Sequence, residues 1–343
     1  MRLTWQPLTL QLRNPFRLSY GVSDTRRVFW LRLTDETGLE GWGEAAIPPY
    51  YGVSDEAMTA YWADVAGRAA ALPERPEEIP AWVGDAGPAA ARCALDLALH
   101  DRLARRAGLP LWQLLGAAAP AALATCFTIA IAEPAEMARL AAESGRFAAL
   151  KIKLGSDDDF ARLAAVRAAR PDARLRLDAN AGWRRDEAIA LIDRLAQFDI
   201  ELIEQPVAKD DLAGLGYVQA HTSIPVVADE SCQTLADVEA LAAAGVRAIN
   251  LKLMKAGGLG PGLAMLRRAR ALGLQVMLGC MVETSLGVTA MTHLAGLADW
   301  LDLDGPLLIA NDPFEGLRYD ERGGVHLPAR PGIGAKLRDK TIV

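Results

Sequence analysis

The chain has 343 residues, 51% of them hydrophobic and 23% charged, which is the composition of an ordinary globular protein and excludes a disordered, collagen-like or coiled-coil chain. The length predicts about two domains. The formal net charge is −6, and no basic block is present to neutralise phosphates, so we expect no nucleic-acid partner.

Residues 1–115 predict a separate α+β domain. Two stretches alternate polar and apolar residues as the strands of an antiparallel meander do, with turns predicted at Asn14-Pro15 and at Thr37-Gly38. Helical patterns follow these strands, including one at residues 91–108. The pattern of predicted strands and helices in this first part of the chain therefore differs from that in the rest.

From about residue 124 the sequence repeats one unit, in which a short apolar run ends on a polar residue and an amphipathic stretch follows. The apolar runs are predicted strands at 124–130, 149–153, 175–180, 200–206, 224–230, 249–254, 275–281 and 300–306. Strands alternating with about seven helices indicate a covered parallel sheet, and at this length a closed α/β barrel. We place the barrel domain at residues 116–308 and expect the segment 309–343 to pack back on the first domain.

Charged residues recur near the ends of these strands, one strand–helix unit apart. They are Lys153, Asp178, Glu204, Asp229 and Lys252. Because the carboxyl ends of all strands of a parallel barrel meet at one face, this spacing gathers distant charges into a single cavity.

Three consecutive strands end in carboxylates, at Asp178, Glu204 and Asp229. Clustered anions repel strongly unless a cation lies among them, and ligands that are all oxygen atoms select a hard ion such as Mg²⁺ or Mn²⁺. The alternative is that each acid caps the following helix or pairs with a cation such as Arg185 or Lys209.

Lysines lie on either side of the three carboxylates in strand order. Lys151 and Lys153 are two residues apart, so both point the same way, and Lys252 lies on the far side of the acids. Two opposed amines beside a metal suit the removal of a proton from carbon on one face and its return on the other. The carbon acid would be a carboxylate substrate, and a dication would stabilise the enediolate that forms. A single lysine is more often a solvated surface residue, and the catalytic interpretation rests on the pair.

These residues resemble the enolase superfamily, in its muconate-lactonising subgroup, over nearly the whole chain. The matching motifs are KIK (151–153), LDANAGW (177–183), IEQP (203–206), ADES (228–231) and NLKLMKAGG (250–258). In the last motif the position that matches the lysine of the subgroup is Lys252 rather than Lys255.

The resemblance implies a fold and a set of roles. The fold is a (β/α)7β modified TIM barrel with an N-terminal α+β capping domain. Lys153 and Lys252 would be the catalytic acid and base, and Asp178, Glu204 and Asp229 would bind the metal.

The substrate class depends on the eighth strand. Muconate cycloisomerases, o-succinylbenzoate synthases and dipeptide epimerases of the subgroup share the residues above, so the first two activities stay open as alternatives. Asp302-Leu303-Asp304 resembles the DxD motif of dipeptide epimerases, in which two carboxylates hold the α-ammonium group of the substrate. Strand alternation puts Asp302 and Asp304 on one face. The implied activity is Mg²⁺-dependent epimerisation of dipeptides at the C-terminal residue. A non-catalytic metal- or ligand-binding barrel is the alternative from a different class.

The sequence says less about which side chains the dipeptide carries than about the reaction. Epimerases that act on Ala-Glu can carry an arginine in the loop after the first strand; here the matching position in the loop 19–24 is Gly21, and the first arginine after the start of this loop is Arg26. This departure disfavours Ala-Glu. Tyr51, in the second loop at 49–56, lies among aromatic and acidic residues, which favours a hydrophobic or cationic dipeptide.

The sequence also predicts two further substrate contacts, the cellular location and the oligomeric state. Lys151 and Glu283 are predicted to contact substrate, the latter because CMVETSLG resembles a seventh-strand motif near the active site. The four cysteines form no CxxC pattern, and residues 1–11 lack the apolar core of a secretory signal. Glycine and proline residues also interrupt the uncharged run at 107–132. We therefore expect a cytoplasmic protein without a membrane span, and a symmetric homo-oligomer would be common for such an enzyme.

Overall fold

The computed structural model describes residues 1–18, 21–46, 49–68, 70–120 and 123–338. Its first sheet is antiparallel and consists of β1 (Arg2–Leu18), β2 (Gly21–Thr34) and β3 (Glu40–Ala46). The turn predicted at Thr37-Gly38 is confirmed, since Asp35 Oδ1 accepts hydrogen bonds from the backbone of Thr37 and Leu39. The turn predicted at Asn14-Pro15 is wrong, because β1 continues through it and only its register with β2 shifts, between Gln11 and Phe16. Proline cannot donate to a ladder, and such irregularities are where strands tolerate it.

The described part of the N-terminal domain also has four α-helices. They are α1 (Asp55–Ala66), α2 (Ile79–Val83), α3 (Ala89–Ala107) and α4 (Leu111–Leu114). Helix α3 is largely buried, and it lies directly on β3 because Gly41 and Gly43 let the two backbones approach each other. A Cβ atom on either glycine would lie 1.9 Å from a backbone oxygen of α3.

Eight parallel strands form the second sheet, with neighbours in consecutive order along the chain. They are β4 (Phe127–Ile129), β5 (Ala149–Lys153), β6 (Arg174–Asp178), β7 (Ile200–Glu204), β8 (Val226–Ala228), β9 (Ala248–Leu251), β10 (Gln275–Gly279) and β11 (Trp300–Asp302). A parallel bridge between Thr125 and Leu301 joins the last strand to the first. The predicted (β/α)7β barrel with an N-terminal α+β domain is therefore confirmed.

Helices cross from each barrel strand to the next. They are α5 (Pro134–Glu143), α6 (Asp159–Ala169), α7 (Arg185–Leu195), α8 (Leu212–Ala220), α9 (Leu235–Ala243), α10 (Leu253–Ala256), α11 (Leu259–Ala271) and α12 (Ser285–Thr292), and α13 (Gly305–Leu308) follows β11. Helix α9 begins at a capping box in which Thr234 and Asp237 each accept from the other's backbone. None of the helices described is long and apolar enough to cross a membrane.

Residues after α13 form two small antiparallel pairs, β12 (Phe314–Glu315) with β15 (Lys336–Leu337) and β13 (Arg318–Tyr319) with β14 (Val325–His326). This segment contacts the N-terminal domain at both of its ends. The backbone N–H of Ala310 donates to the Gln11 carbonyl at 2.8 Å, and that of Ile333 donates to Asp101 Oδ1 at 2.7 Å. Asp101 is buried and also accepts from the backbone of Trp42, so its carboxylate joins three parts of the chain.

Replacement of Gly43 by alanine should destabilise the protein, because the new Cβ would lie 1.9 Å from the Ala94 carbonyl oxygen. Overpacking of this kind costs about 1–3 kcal/mol. Urea unfolding measures the loss, with Gly67→Ala as the control, since a Cβ at Gly67 would be 3.4 Å from its nearest neighbour. Equal stability of the two variants would contradict the close helix–sheet contact.

Candidate active site

The carboxyl end of the barrel brings together the charged residues predicted from the strand spacing. Asp178 and Glu204 are the last residues of β6 and β7, and Asp229 follows β8 directly. One oxygen of each carboxylate lies within 4.8 Å of the others, and all three side chains are buried. The local reason is strand alternation, which turns every second residue of a barrel strand inward.

Lys151, on β5, lies among these acids. Its Nζ is 2.9 Å from Asp178 Oδ2, 2.7 Å from Glu204 Oε2 and 2.7 Å from Asp302 Oδ2. Although burial opposes it, the surrounding carboxylates raise the pKa of Lys151 well above its ordinary value. The ammonium group therefore balances carboxylates from three strands, and it also lines the cavity.

The three carboxylates differ in their ease of ionisation. Burial would raise the pKa of Asp178, but Lys151 and Lys153 lower it to about 2. The pKa of Asp229 likewise lies well below its ordinary value, since Lys252 and then Lys255 outweigh the effect of burial. Burial and the nearby Asp178 charge instead raise the pKa of Glu204 to about 8.

Lysines approach the carboxylates from two sides. Lys153 Nζ donates to Asp178 Oδ2 at 2.6 Å, and Lys252 Nζ donates to Asp229 Oδ2 at 2.8 Å. Lys252 occupies the N-cap position of α10, and the Asp229 charge raises its pKa well above normal despite burial. Lys255, one turn later, donates to both Oδ1 and the backbone carbonyl of Asp229, so it fixes this residue in place.

The donor set fits a hard divalent cation. Three carboxylate oxygens converge from neighbouring strands, and Mg²⁺ takes oxygen ligands, including one or two carboxylates. Glu204 Oε2 is buried and, apart from its ion pair with Lys151, makes no hydrogen bond to the described residues. A cation at the triad would relieve the repulsion that raises the pKa of Glu204.

Beside the triad is a cavity that holds about 730 Å³ of space including its open mouth. Lys153 and Lys252 line it, and so do Asp302 and Asp304. Asp302 Oδ1 accepts from Cys126 Sγ at 3.2 Å, and Asp304 Oδ2 accepts from the Thr128 backbone at 2.7 Å. Burial and the Asp302 charge raise the pKa of Asp304 to about 6.

Two of the predicted contacts lie away from this cavity. Gly21 is exposed at the start of β2, and it is not among the residues that line the cavity; residues 19–20 of the same loop lie outside the described part of the chain. Glu283 is buried behind the wall of the cavity, next to Glu44 of β3, because its side chain turns back to accept from the Met281 backbone. Tyr51 does line the cavity.

Other lining residues were missed by the sequence analysis. Asn180 and Glu230 line the cavity from the LDANAGW and ADES motifs, and their position within two residues of Asp178 and Asp229 could have indicated them. Glu230 is buried, and burial together with the Asp229 charge raises its pKa to about 7. Arg26 and Arg27 reach the cavity from β2 of the N-terminal domain. No local motif marks the two arginines, because their placement depends on how the two domains pack.

Comparison with known proteins identifies both parts of the chain. Residues 3–116 match the mandelate racemase/muconate lactonizing enzyme N-terminal domain, and residues 133–341 match the enolase C-terminal domain-like family.

The L-Ala-D/L-Glu epimerase of Bacteroides thetaiotaomicron is 36% identical over 338 residues, which cover 97% of this chain and 87% of that protein. The hydrophobic dipeptide epimerase of Roseobacter litoralis is 37% identical over 357 residues, covering 98% and 99%. The crystal structure of a dipeptide epimerase from Cytophaga hutchinsonii, complexed with Mg and D-Ala-L-Val, has a TM-score of 0.92 at 28% identity and covers 99% of this chain and 97% of that chain.

The raised pKa of Glu204 predicts a pH dependence of the metal-free protein. Because this pKa is raised from 4.5 to about 8, the folded state keeps a proton that the unfolded state releases. The associated stability is complete below about pH 4.5 and is lost as the pH rises to about 8. In EDTA, the Tm of the wild type should therefore fall more steeply over this range than the Tm of Glu204→Gln. Parallel curves would contradict the crowding of the carboxylates, and Glu187→Gln on the exposed face of α7 is the control.

Proposed function

Since the chain belongs to the enolase superfamily, with the N-terminal domain of the mandelate racemase/muconate lactonizing enzymes followed by the enolase-type barrel, we propose that it epimerises dipeptides at the α-carbon of the C-terminal residue. One observation carries the proposal: a single cavity has lysines on both sides of the carboxylate triad and a pair of aspartates at the end of β11. The similar proteins from Bacteroides and Roseobacter are both epimerases of dipeptides.

Asp178, Glu204 and Asp229 hold the divalent cation in this proposal. Their donor set favours Mg²⁺, with Mn²⁺ as a substitute, and the similar Cytophaga structure contains Mg. When bound, the cation supplies positive charge that stabilises the anion developing on the substrate carboxylate. Lys151 forms ion pairs with Asp178, Glu204 and Asp302, and these contacts hold the triad in place.

Lys153 and Lys252 move the proton. They approach from β5 and from the residue after β9, so a substrate α-carbon between them presents one face to each amine. One lysine, in its neutral form, accepts the proton from carbon, and the other, as an ammonium group, donates a proton to the opposite face. A positioned side chain contributes about 10²–10⁴-fold to such a transfer. The Asp229 charge favours the ammonium form of Lys252, which is the form that donates.

Asp302 and Asp304 hold the α-ammonium group of the dipeptide. Both side chains are buried at the cavity, and Lys151 already neutralises Asp302. The part of the chain that the structure describes places no Lys or Arg ion pair on Asp304, whose hydrogen bond comes from the Thr128 backbone. A substrate without an amine would leave this carboxyl buried without a cation, which disfavours muconate and o-succinylbenzoate chemistry.

The cavity also changes the expectation about side chains. Ala-Glu was disfavoured because of Gly21, which does not line the cavity, whereas Arg26 and Arg27 do. Arg27 also pairs with Asp55, and its guanidinium lies over the Phe29 ring at 5.5 Å. Two arginines at the cavity favour acidic or apolar dipeptide side chains over cationic ones. Relatives of nearly equal identity act on both kinds, so acidic dipeptides belong in any substrate panel.

Proton NMR in D₂O tests the reaction with Mg²⁺ and a panel of L,L-dipeptides carrying acidic, apolar and cationic C-terminal residues. We expect the α-proton signal of the C-terminal residue to disappear as the L,D-diastereomer appears, and EDTA to stop both changes. Absence of exchange with every dipeptide would reject the proposal and direct the search to carboxylates without an amine. A non-catalytic binding barrel would also show no exchange.

The two-base arrangement predicts a distinct result for each lysine. Lys153→Ala and Lys252→Ala should each abolish epimerisation, and the two variants should lose α-proton exchange with opposite epimers, because each amine serves one face. Lys209→Ala, at an exposed lysine, is the control. Full epimerisation by either active-site variant would contradict the scheme.

The aspartate pair predicts selectivity for a free amine. Asp304→Asn should raise the KM for dipeptides by about tenfold or more, since hydrogen bonds to charged groups contribute about 1.5–3 kcal/mol. The wild type should prefer a dipeptide strongly over its N-acetyl derivative, and the variant should lose much of this preference. An unchanged KM and an unchanged preference would instead favour a cycloisomerase or synthase of the same subgroup.

A further inference from the structure

Glu44 is a buried carboxyl group that the reaction does not use. It lies on β3, the strand of the N-terminal sheet that contacts the start of α12, and it has no exposed surface. Its Oε1 accepts from the Thr284 backbone at 2.9 Å, and its Oε2 accepts from Thr284 Oγ1 at 2.5 Å and from the Gly287 backbone at 2.9 Å. The N-terminal domain thus binds the first turn of a barrel helix through one side chain.

The other backbone N–H groups at the start of α12 also donate hydrogen bonds. Asp312 Oδ2 accepts from the Ser285 backbone at 2.9 Å, and Thr284 Oγ1 accepts from the Leu286 backbone at 3.1 Å. The four backbone N–H groups from Thr284 to Gly287 therefore all have partners. Because a helix N-terminus favours negative charge, Glu44 and Asp312 are well placed as carboxylates.

Glu283 is a second carboxyl group at the same point. Its Oε1 accepts from the Met281 backbone at 2.7 Å. Its Oε2 faces the glycine that Glu44 also contacts: a Cβ atom on Gly287 would lie 2.4 Å from Glu283 Oε2 and 3.1 Å from Glu44 Oε2. Two buried carboxylates this close repel each other unless one holds a proton.

The hydrogen bonds indicate which of the two holds it. Glu44 uses both oxygens as acceptors for three donors, which suits the ionised form. Burial and then the Glu44 charge raise the pKa of Glu283 well above its ordinary value, whereas burial raises that of Glu44 to about 7. Among the described residues, the other titratable groups near the pair are Cys93 of α3, Cys280, Asp312 and Lys252, and Lys252 favours ionisation of Glu283.

We propose that Glu283 is a neutral carboxylic acid held against the Glu44 carboxylate, and that this pair positions one wall of the cavity. The link is short, since Met281, whose backbone binds Glu283, lines the cavity together with Cys280 and Val282. Glu283 is then a positioning residue that acts through its neighbours, rather than the substrate contact expected from the sequence. Only the kinetic part of the test below rests on the proposed epimerase function.

The pair makes the two glutamine variants unequal. In Glu283→Gln the amide oxygen can accept from Met281 and the amide N–H can donate toward Glu44, so kcat and KM for dipeptides should stay close to wild type. In Glu44→Gln an amide N–H group must face a backbone N–H of Thr284 or Gly287. This displaces the wall, and a misplacement of about 1 Å can cost about 10²-fold in kcat/KM. Glu283→Ala should also lose activity, so that glutamine, and not alanine, rescues position 283.

Two measurements test the neutral acid without using activity. Infrared difference spectra between the wild type and Glu283→Gln should show a protonated-carboxyl C=O band at neutral pH that the variant lacks. The raised pKa means that the folded state keeps a proton, so the stability it contributes is present below the ordinary pKa and lost as the pH rises. The Tm of the wild type should therefore fall more than that of Glu283→Gln on going from acidic to alkaline pH.

Three results would overturn the proposal. One is the absence of the protonated-carboxyl band, and another is an identical pH dependence of Tm in the two proteins. The third is a loss of kcat in Glu283→Gln with unchanged KM, which would show that Glu283 acts on the substrate. If Glu44→Gln does not fold, the spectra and the comparison of wild type with Glu283→Gln still decide. If no dipeptide is epimerised, the proposed function fails while the spectra and Tm curves remain valid.

Discussion

The constraint on which the rest of this structure depends is the burial of like charges. Three carboxylates lie within 4.8 Å of one another at the end of the barrel, and burying them together costs several kcal/mol per ion unless cations compensate. Lys151 lies between two of them, and Lys153 and Lys252 each bind one from the side. The lysines proposed to transfer the proton therefore also compensate the charge of the buried carboxylates that are proposed to bind the metal.

Buried carboxylates are also important where the two domains meet. Asp96, on α3, accepts from the Leu259 backbone at 2.6 Å at the start of α11, and Glu44 accepts from the first turn of α12. These helices follow the sixth and seventh barrel strands, so the N-terminal domain holds both with single carboxylates. Lys252 lies in the segment that leads into α11, and the cavity wall lies in the segment that leads into α12. The geometry of the site therefore depends on how the two domains pack.

The sequence was most informative where position along a strand determines position in space. The eight barrel strands, the lysines and the carboxylate triad could be predicted from one repeat, since the barrel converts spacing into proximity. Arg26, Arg27 and Glu44 could not be found in this way, because they reach the site only through the packing of the two domains. The turn prediction at Asn14-Pro15 was wrong because the residue types that favour a turn also occur at irregularities within a strand. The domain boundaries, the cytoplasmic location and a homo-oligomer stay predictions.

Closure of the barrel has a consequence for folding. The last strand meets the first through Thr125, and the two aspartates proposed to hold the ammonium group are bonded there, Asp302 to Cys126 and Asp304 to Thr128, each across 176 residues of sequence. Contacts of such separation form late, because the intervening chain must first be ordered. The carboxylate triad comes from adjacent strands and can assemble earlier. A chain that has folded through its seventh strand would thus already hold the carboxylates proposed to bind the metal, but not the two aspartates proposed to bind the ammonium group.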